Sequence, residues 1–275
     1  MFRLTREVRF AIDLVADQLR PVEGHNGYAG KPPITGIGQC YYSLSVTVAG
    51  EPDPETGYLL NIKTLDEAVR SQIVPLIKQS VRDGCRGGHR GGGGLLIECH
   101  RLLAQSLAPL RLDELELHLS PFTSLGTSHA LLNLQKSPMV LLHHTFEFAA
   151  SHRLHCPSFS DARNREVFGK CNNPHGHGHN YVLRVSLRGR PAPDGVVMGI
   201  EELERIVDET VIERFDHRHL NLEVPEFAEL NPSVENIAQA IFERLEAPLR
   251  RGEASLDAVT VWETPKTWCE YRREG

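Results

Sequence analysis

The chain has 275 residues, 40% hydrophobic and 24% charged, with a formal net charge of −6. That length holds two ordinary domains or one large one. The mild charge gives no reason to expect nucleic acid or an anionic membrane as partner, and no apolar run approaches the ~20 residues that span a bilayer.

The opening residues, Met1 to Glu7, are charged and lack a signal-type apolar core. The six cysteines (Cys40, Cys85, Cys99, Cys156, Cys171, Cys269) are scattered and form no CxxC pair. Together these features predict a cytoplasmic, reduced protein. Of the fourteen histidines, nine fall between His143 and His219, which points to metal or acid–base chemistry in the second half.

In chain order, Leu4 to Leu14 alternates and predicts a strand. Residues 21–38 are rich in Gly and Pro and predict an irregular connection. Cys40 to Val48 predicts a second strand, and Tyr58 to Ile62 a short one leading into a helix. Thr64-Leu-Asp-Glu67 has the capping-box spacing. Leu65, Ala68, Val69, Ile73, Leu76 and Ile77 form that helix's apolar stripe, which Pro75 is placed to interrupt. The glycine-rich stretch Asp83 to Gly94 lacks the Gly-Lys-Ser/Thr ending of a phosphate loop and reads as a flexible connector. Leu95 to Leu110 predicts a second helix, Glu114 to Leu119 a third strand and Ala130 to Leu134 a fourth. Lys136-Ser-Pro138 is the predicted boundary.

The second half repeats this order. Tyr42, Leu44, Val46, Val48 and Gly50 stand 139 positions before Tyr181, Leu183, Val185, Leu187 and Gly189. Ala108-Pro-Leu110 answers Ala247-Pro-Leu249 at the same offset. The expected architecture is α+β: two tandem units, residues 1–136 and 137–275, each an antiparallel four-stranded sheet with two helices on one face. The copies differ where the chemistry lies. Gly38 stands opposite His177, Cys40 opposite His179, and the Leu14 region opposite His152, so the first copy lacks these side chains.

His177 and His179 open the strand that continues through Tyr181-Val-Leu-Arg-Val. Two residues apart on a strand, they share a face and can reach one metal. His152 ends the preceding strand, His144 to His152. Alone it reads as a hydrogen-bonded core histidine. Beside the other two it completes three histidines with one position left open, the catalytic-zinc pattern. His175 is a rim residue, because Pro174 keeps the strand from starting earlier. Cys171 is either a buried structural thiol or a thiolate activated by nearby cation and imidazole. Its polar setting among Lys170, Asn172 and Asn173 disfavours the first. Asp216 beside His217 is an ordinary turn or an oriented acid–base pair. Ser233 reads as the N-cap of a helix through Ile237, Ala240, Ile241 and Leu245. Glu263 ends an apolar strand, either solvated or placed to accept the N–H donors of a guanidine-like ring edge.

Phe148-Ala-Ala-Ser-His152-Arg-Leu, Phe168-Gly-Lys-Cys171-Asn-Asn-Pro-x-Gly-His177-Gly-His179-Asn-Tyr, Asp216-His217-x-x-Leu-Asn and Val261-x-Glu263-Thr resemble the 6-pyruvoyl-tetrahydropterin synthase family. The resemblance covers residues ~143–273. It implies a T-fold unit, a zinc ion held by His152, His177 and His179, a base at Cys171 supported by Asp216 and His217, and a pterin substrate anchored by Glu263 with Ser233 beside it. It also implies a homo-oligomer in which sheets close into barrels. The first half resembles the fold only, through the repeat. The expected reaction is loss of triphosphate from 7,8-dihydroneopterin triphosphate to leave 6-pyruvoyl-tetrahydropterin. The shorter frame Cys171-x3-His175-Gly-His177 resembles the sister 6-carboxy-tetrahydropterin synthases, and a non-catalytic pterin or purine binder is the third reading.

Overall fold

The computed structural model describes residues 1–13, 38–85, 91–133 and 137–273. These fall into two compact units: Met1–Leu142 with Gly189–Val197, and His143–Arg188 with Met198–Gly275.

In the first unit, β1 (Phe2–Asp13) pairs antiparallel with β2 (Gln39–Gly50) along its whole length. The chain then forms α1 (Ile62–Ala68), a π-helical turn over Val69–Ile73 and α2 (Val74–Cys85). After α3 (Gly93–Ser106), β3 (Arg111–His118) pairs with β2, and β4 (Thr123–Ser128) pairs with β3. A short α4 (His129–Asn133) follows. The strand alternation puts Val8, Phe10, Ile12, Leu44, Val46, Val48, Leu115 and Leu117 in the core. Leu65, Val69 and Ile73 from the first helix and Leu96, Cys99 and Leu103 from α3 are buried with them. Each such aliphatic or aromatic side chain contributes about 1.5–3 kcal/mol by leaving water.

Four local expectations change. Tyr58 to Ile62 is not a strand. The Asp53 carboxylate accepts from the Glu55 and Thr56 amides, and the Tyr58 carbonyl accepts from Asp53 N–H, so this segment closes on itself as a loop. Asn61 caps α1, its side chain accepting from Lys63 N–H at 3.0 Å, in place of Thr64. Pro75 does not end the helix. The preceding π turn, closed by Val74 N–H on the Val69 carbonyl, shifts the ladder so that the ring fits without a lost donor. Ala130 to Asn133 is helical. Ser120 Oγ accepts from the Phe122 and Thr123 amides, which turns the chain back early, so the fourth strand is Thr123–Ser128.

The irregular connection at 21–37, the Leu14 region, residues 86–90 of the glycine-rich stretch, and Leu134 and Lys136 lie outside the described residues. Gly91 is not slack. A Cβ there would stand 2.0 Å from the Gly195 carbonyl carbon, and Gly91 N–H donates to the Asp194 carbonyl. The glycine is a close-approach residue.

In the second unit, β5 (Val140–His152) leads to α5 (Asp161–Phe168), a 3-10 turn over Gly169–Asn172 and β6 (His177–Gly189). Next come α6 (Ile200–Val207), a π turn over Asp208–Ile212 and α7 (Glu213–Phe215). Then come β7 (Arg218–His219), α8 (Leu220–Glu223), α9 (Val234–Glu246), β8 (Ser255–Thr264) and β9 (Thr267–Tyr271). The strand order is β5-β6-β8-β9. The two-residue β7 pairs parallel with the end of β5, Ser151 opposite His219. This unit therefore exceeds four strands and two helices. The additions, between Arg153 and Asn172 and between Asp216 and Phe227, surround the end of β5 that carries His152.

Candidate metal centre

His152 is the last residue of β5 and is completely buried. Its Nδ1 lies 2.7 Å from the Pro232 carbonyl. A carbonyl only accepts, so the ring carries its proton on Nδ1 and turns a lone pair on Nε2 toward the site. Burial first, and then the neighbouring imidazoles, lowers His152 to about 4. The ring is neutral at pH 7, as a metal ligand must be. His177 is also lowered, chiefly by burial.

His177 and His179 open β6 and share a face, as the period of two requires. The turn before them depends on Gly176, whose φ is +72°. A Cβ there would meet the His152 carbonyl oxygen and His219 Nε2, both at 2.9 Å. Glycine thus lets the β6 entrance close on the end of β5. His152 Nε2 and His177 Nε2 stand 3.1 Å apart. One ligand nitrogen from each of the three rings lies within 4.8 Å of the other two. His179 Nε2 is buried with no hydrogen-bond partner among the described residues. Converging basic nitrogens, one of them orphaned, fit a shared cation. Glu263, near the end of β8, places Oε1 3.3 Å from His152 Nε2 and 3.5 Å from His179 Nε2.

Cys171 sits in the 3-10 turn before the β6 entrance, half-buried, and its carbonyl accepts from Leu154 N–H at 2.9 Å. The buried Tyr181 phenol is pushed up by burial and further by Glu263 and Cys171, which places both within electrostatic reach of it. Asp216 brackets β5: its Oδ1 accepts from Ala149 N–H at 2.8 Å, and its Oδ2 lies 2.8 Å from His217 Nδ1. Ala149 N–H is the main reason the Asp216 carboxyl lies below its ordinary value. His217 is left-handed, φ +56°, and is pinned by its N–H on the Ala149 carbonyl at 2.6 Å. A non-glycine residue in that region marks local strain. Its side chain is 82% exposed.

Ser233 caps α9, its Oγ accepting from Asn236 N–H, and neighbours Pro232. His175 lies exposed on the turn, before β6 begins. Of the cations near Cys171 in sequence, Arg153 is turned onto Asn172 and Arg218 onto Glu223. Lys170 is exposed with no ion partner among the described residues. Sequence reasoning missed His219, whose Nδ1 is buried without a hydrogen bond. It also missed the asparagines around residues 153–156, which look like ordinary loop residues until their partners are known.

An antiparallel α+β unit with three histidines converging at the strand ends defines a class of proteins whose strand termini could share one metal ion. Within that class, the model described as 6-pyruvoyl tetrahydropterin synthase matches residues 141–274. The 6-pyruvoyl tetrahydrobiopterin synthase of Drosophila melanogaster is 40% identical over 140 residues, 50% of this chain and 83% of that protein. The Homo sapiens protein of the same name is 40% identical over 128 residues, 46% of this chain and 87% of that protein. The solved Caenorhabditis elegans 6-pyruvoyl tetrahydropterin synthase is 38% identical and aligns with a TM-score of 0.47, covering 51% of this chain and 100% of that one. The chain belongs to the 6-pyruvoyl tetrahydropterin synthase family, a family of lyases.

Proposed function

We propose that the chain is a zinc-dependent lyase that converts 7,8-dihydroneopterin triphosphate to 6-pyruvoyl-tetrahydropterin with release of triphosphate. The convergence of the His152, His177 and His179 nitrogens beside the Glu263 carboxylate carries this reading. The three imidazoles would hold zinc, which when bound supplies Lewis-acid polarisation of the substrate hydroxyls. Cys171, as thiolate, takes the adjacent carbon-bound proton. The Asp216–His217 pair, with the carboxylate orienting the ring, returns protons during tautomerisation. Glu263 accepts from the pterin ring edge, and the Ser233 hydroxyl, which accepts from Asn236, still has a proton to donate. Lys170, next to Cys171 in sequence and exposed, is the cation we assign to the triphosphate. The test is purified protein given 7,8-dihydroneopterin triphosphate, with products read by mass and Cys171→Ala alongside. A pyruvoyl product, lost in the variant with zinc retained, is expected. Full turnover by the variant refutes the base assignment, and a carboxy product assigns the chain to the sister reaction.

We read the two halves as copies of one T-fold unit, 1–136 without ligands and 137–275 with them. Three correspondences support this. The π turns Val69–Ile73 and Asp208–Ile212 are 139 residues apart. So are the β-bulges at Thr47/Val48 and Ser186/Leu187. Arg6–Asp66 and His144–Glu204, which join β1 to α1 and β5 to α6, are 138 apart. The chain then carries one zinc site and works as a homo-oligomer through barrel closure. Among the described residues no helix is long and apolar enough to cross a membrane, and the described cysteines are free, which supports a cytoplasmic setting.

A further inference from the structure

The four residues that follow His152 make no regular ladder, yet their backbone groups are held almost one by one. Arg153 N–H donates to Asn221 Oδ1 at 2.8 Å, and Asn221 Nδ2 donates to the Arg153 carbonyl at 3.0 Å. Leu154 N–H donates to the Cys171 carbonyl, and Asn172 Nδ2 donates to the Leu154 carbonyl at 2.7 Å. His155 N–H donates to Asn231 Oδ1 at 3.1 Å. Asn164, wholly buried, accepts from Cys156 N–H at 2.8 Å and donates to the Cys156 carbonyl at 3.0 Å. A carboxamide offers both a donor and an acceptor, so it mimics the two groups of a neighbouring strand. Four asparagines from four different segments thus stand in for that strand.

Asn172 differs from the other three. It directly follows Cys171, is 8% exposed, and reaches both the Leu154 carbonyl and His155 Nδ1, the latter at 3.0 Å. Its own carbonyl accepts from Arg153 Nε at 3.3 Å. With the Cys171 carbonyl on Leu154 N–H, it grips Leu154 from both sides. The chain carrying His152 and the turn carrying Cys171 are therefore joined two residues from one and at the next residue to the other.

We infer that Asn172 is a positioning residue that fixes the Cys171 thiol against the end of β5. This rests on Cys171 being the base of the proposed reaction. The clamp acts through the backbone and touches none of the three imidazoles, so its loss should misplace the thiol and leave the ligands in place. A misplacement of about 1 Å lowers turnover on the order of a hundredfold.

The experiment compares the full chain with Asn172→Ala and Asn172→Asp. The second keeps the shape and loses the donor to the Leu154 carbonyl. Three quantities are read: zinc per chain, kcat and KM separately, and the pH profile of Cys171 alkylation by iodoacetamide, followed on the Cys171 peptide by mass. Expected are unchanged zinc, an unchanged KM, a kcat lower by tenfold to a hundredfold, and an altered alkylation profile in both variants. An unchanged alkylation profile overturns the inference. So does a loss of zinc, or of the fold in both variants, since either makes Asn172 structural only. The alkylation arm is independent of turnover. If Cys171→Ala is fully active, the base assignment falls, while the effect of Asn172 on the thiol is still measured.

Discussion

His152 shows how one residue's role is set by what holds it. The Pro232 carbonyl accepts a hydrogen bond from Nδ1–H, burial keeps the ring neutral, and the Nε2 lone pair faces the other two imidazoles. His152→Ala should abolish the rise in melting temperature on adding zinc, since a ligand at 100 times its Kd stabilises by about 2.7 kcal/mol. Thermal scans with zinc and with chelator check this, and an undiminished shift in the variant would mean the metal sits elsewhere. Gly176→Ala tests the turn. The +72° φ and the 2.9 Å approaches to His152 O and His219 Nε2 predict a loss of about 1–3 kcal/mol. They also predict weaker zinc binding in a competition titration, and unaltered zinc affinity would detach the turn from the site. The paired spacing of His177 and His179 was legible in the sequence because strand periodicity is local. Which carbonyl orients His152 was not, because Pro232 lies 80 residues away.

At the scale of elements, the strands and long helices follow from periodicity, and the short elements do not. The π turns were not legible: each needs one extra residue per turn, which the apolar stripe tolerates without breaking. Ala130 to Asn133 is an apolar run too short to show a period, its Ala and Leu residues favour helix, and the hydroxyl-built turn at Ser120 brings the fourth strand one segment earlier. Polar groups on β1 set an acid limit for the first unit. Arg9 and then Ser43 hold Glu7 at about 2, against an ordinary 4.5. The folded-state value is the lower one, so this contribution is present above pH 4.5 and is lost as pH falls toward 2. Glu7 is 41% exposed, so screening reduces the effect to under about 1 kcal/mol. Glu7→Gln should flatten that part of the stability–pH curve and change little at pH 7. Chemical denaturation between pH 2 and 7 reads it, and a parallel loss at every pH would contradict the assignment.

For the whole molecule, the proposed duplication would set the stoichiometry. One live site per chain predicts about one zinc per chain after metal loading, and two would show that the first half also binds. If barrel closure needs further copies, sedimentation should report an oligomer at assay concentrations, and a monomer that turns over substrate would contradict that arrangement. The nearly constant offset of 139 that motivates the proposed repeat was legible in the sequence itself. The matched bulges and π turns add positions at which no residue identity was needed.

By itself the sequence determined the alternating strands, the shared face of His177 and His179, His152 as the candidate third member and the lack of histidines at the first-half positions aligned with His177 and His179. These rest on local spacing, which the backbone period converts directly into a shared face. Only the tertiary structure decided that Glu263 stands against the imidazoles, that Asp216 and His217 grip Ala149, and that four asparagines replace a strand beside Cys171. Those contacts join residues up to 111 positions apart. Their formation depends on how whole strands and turns pack, which no local pattern encodes.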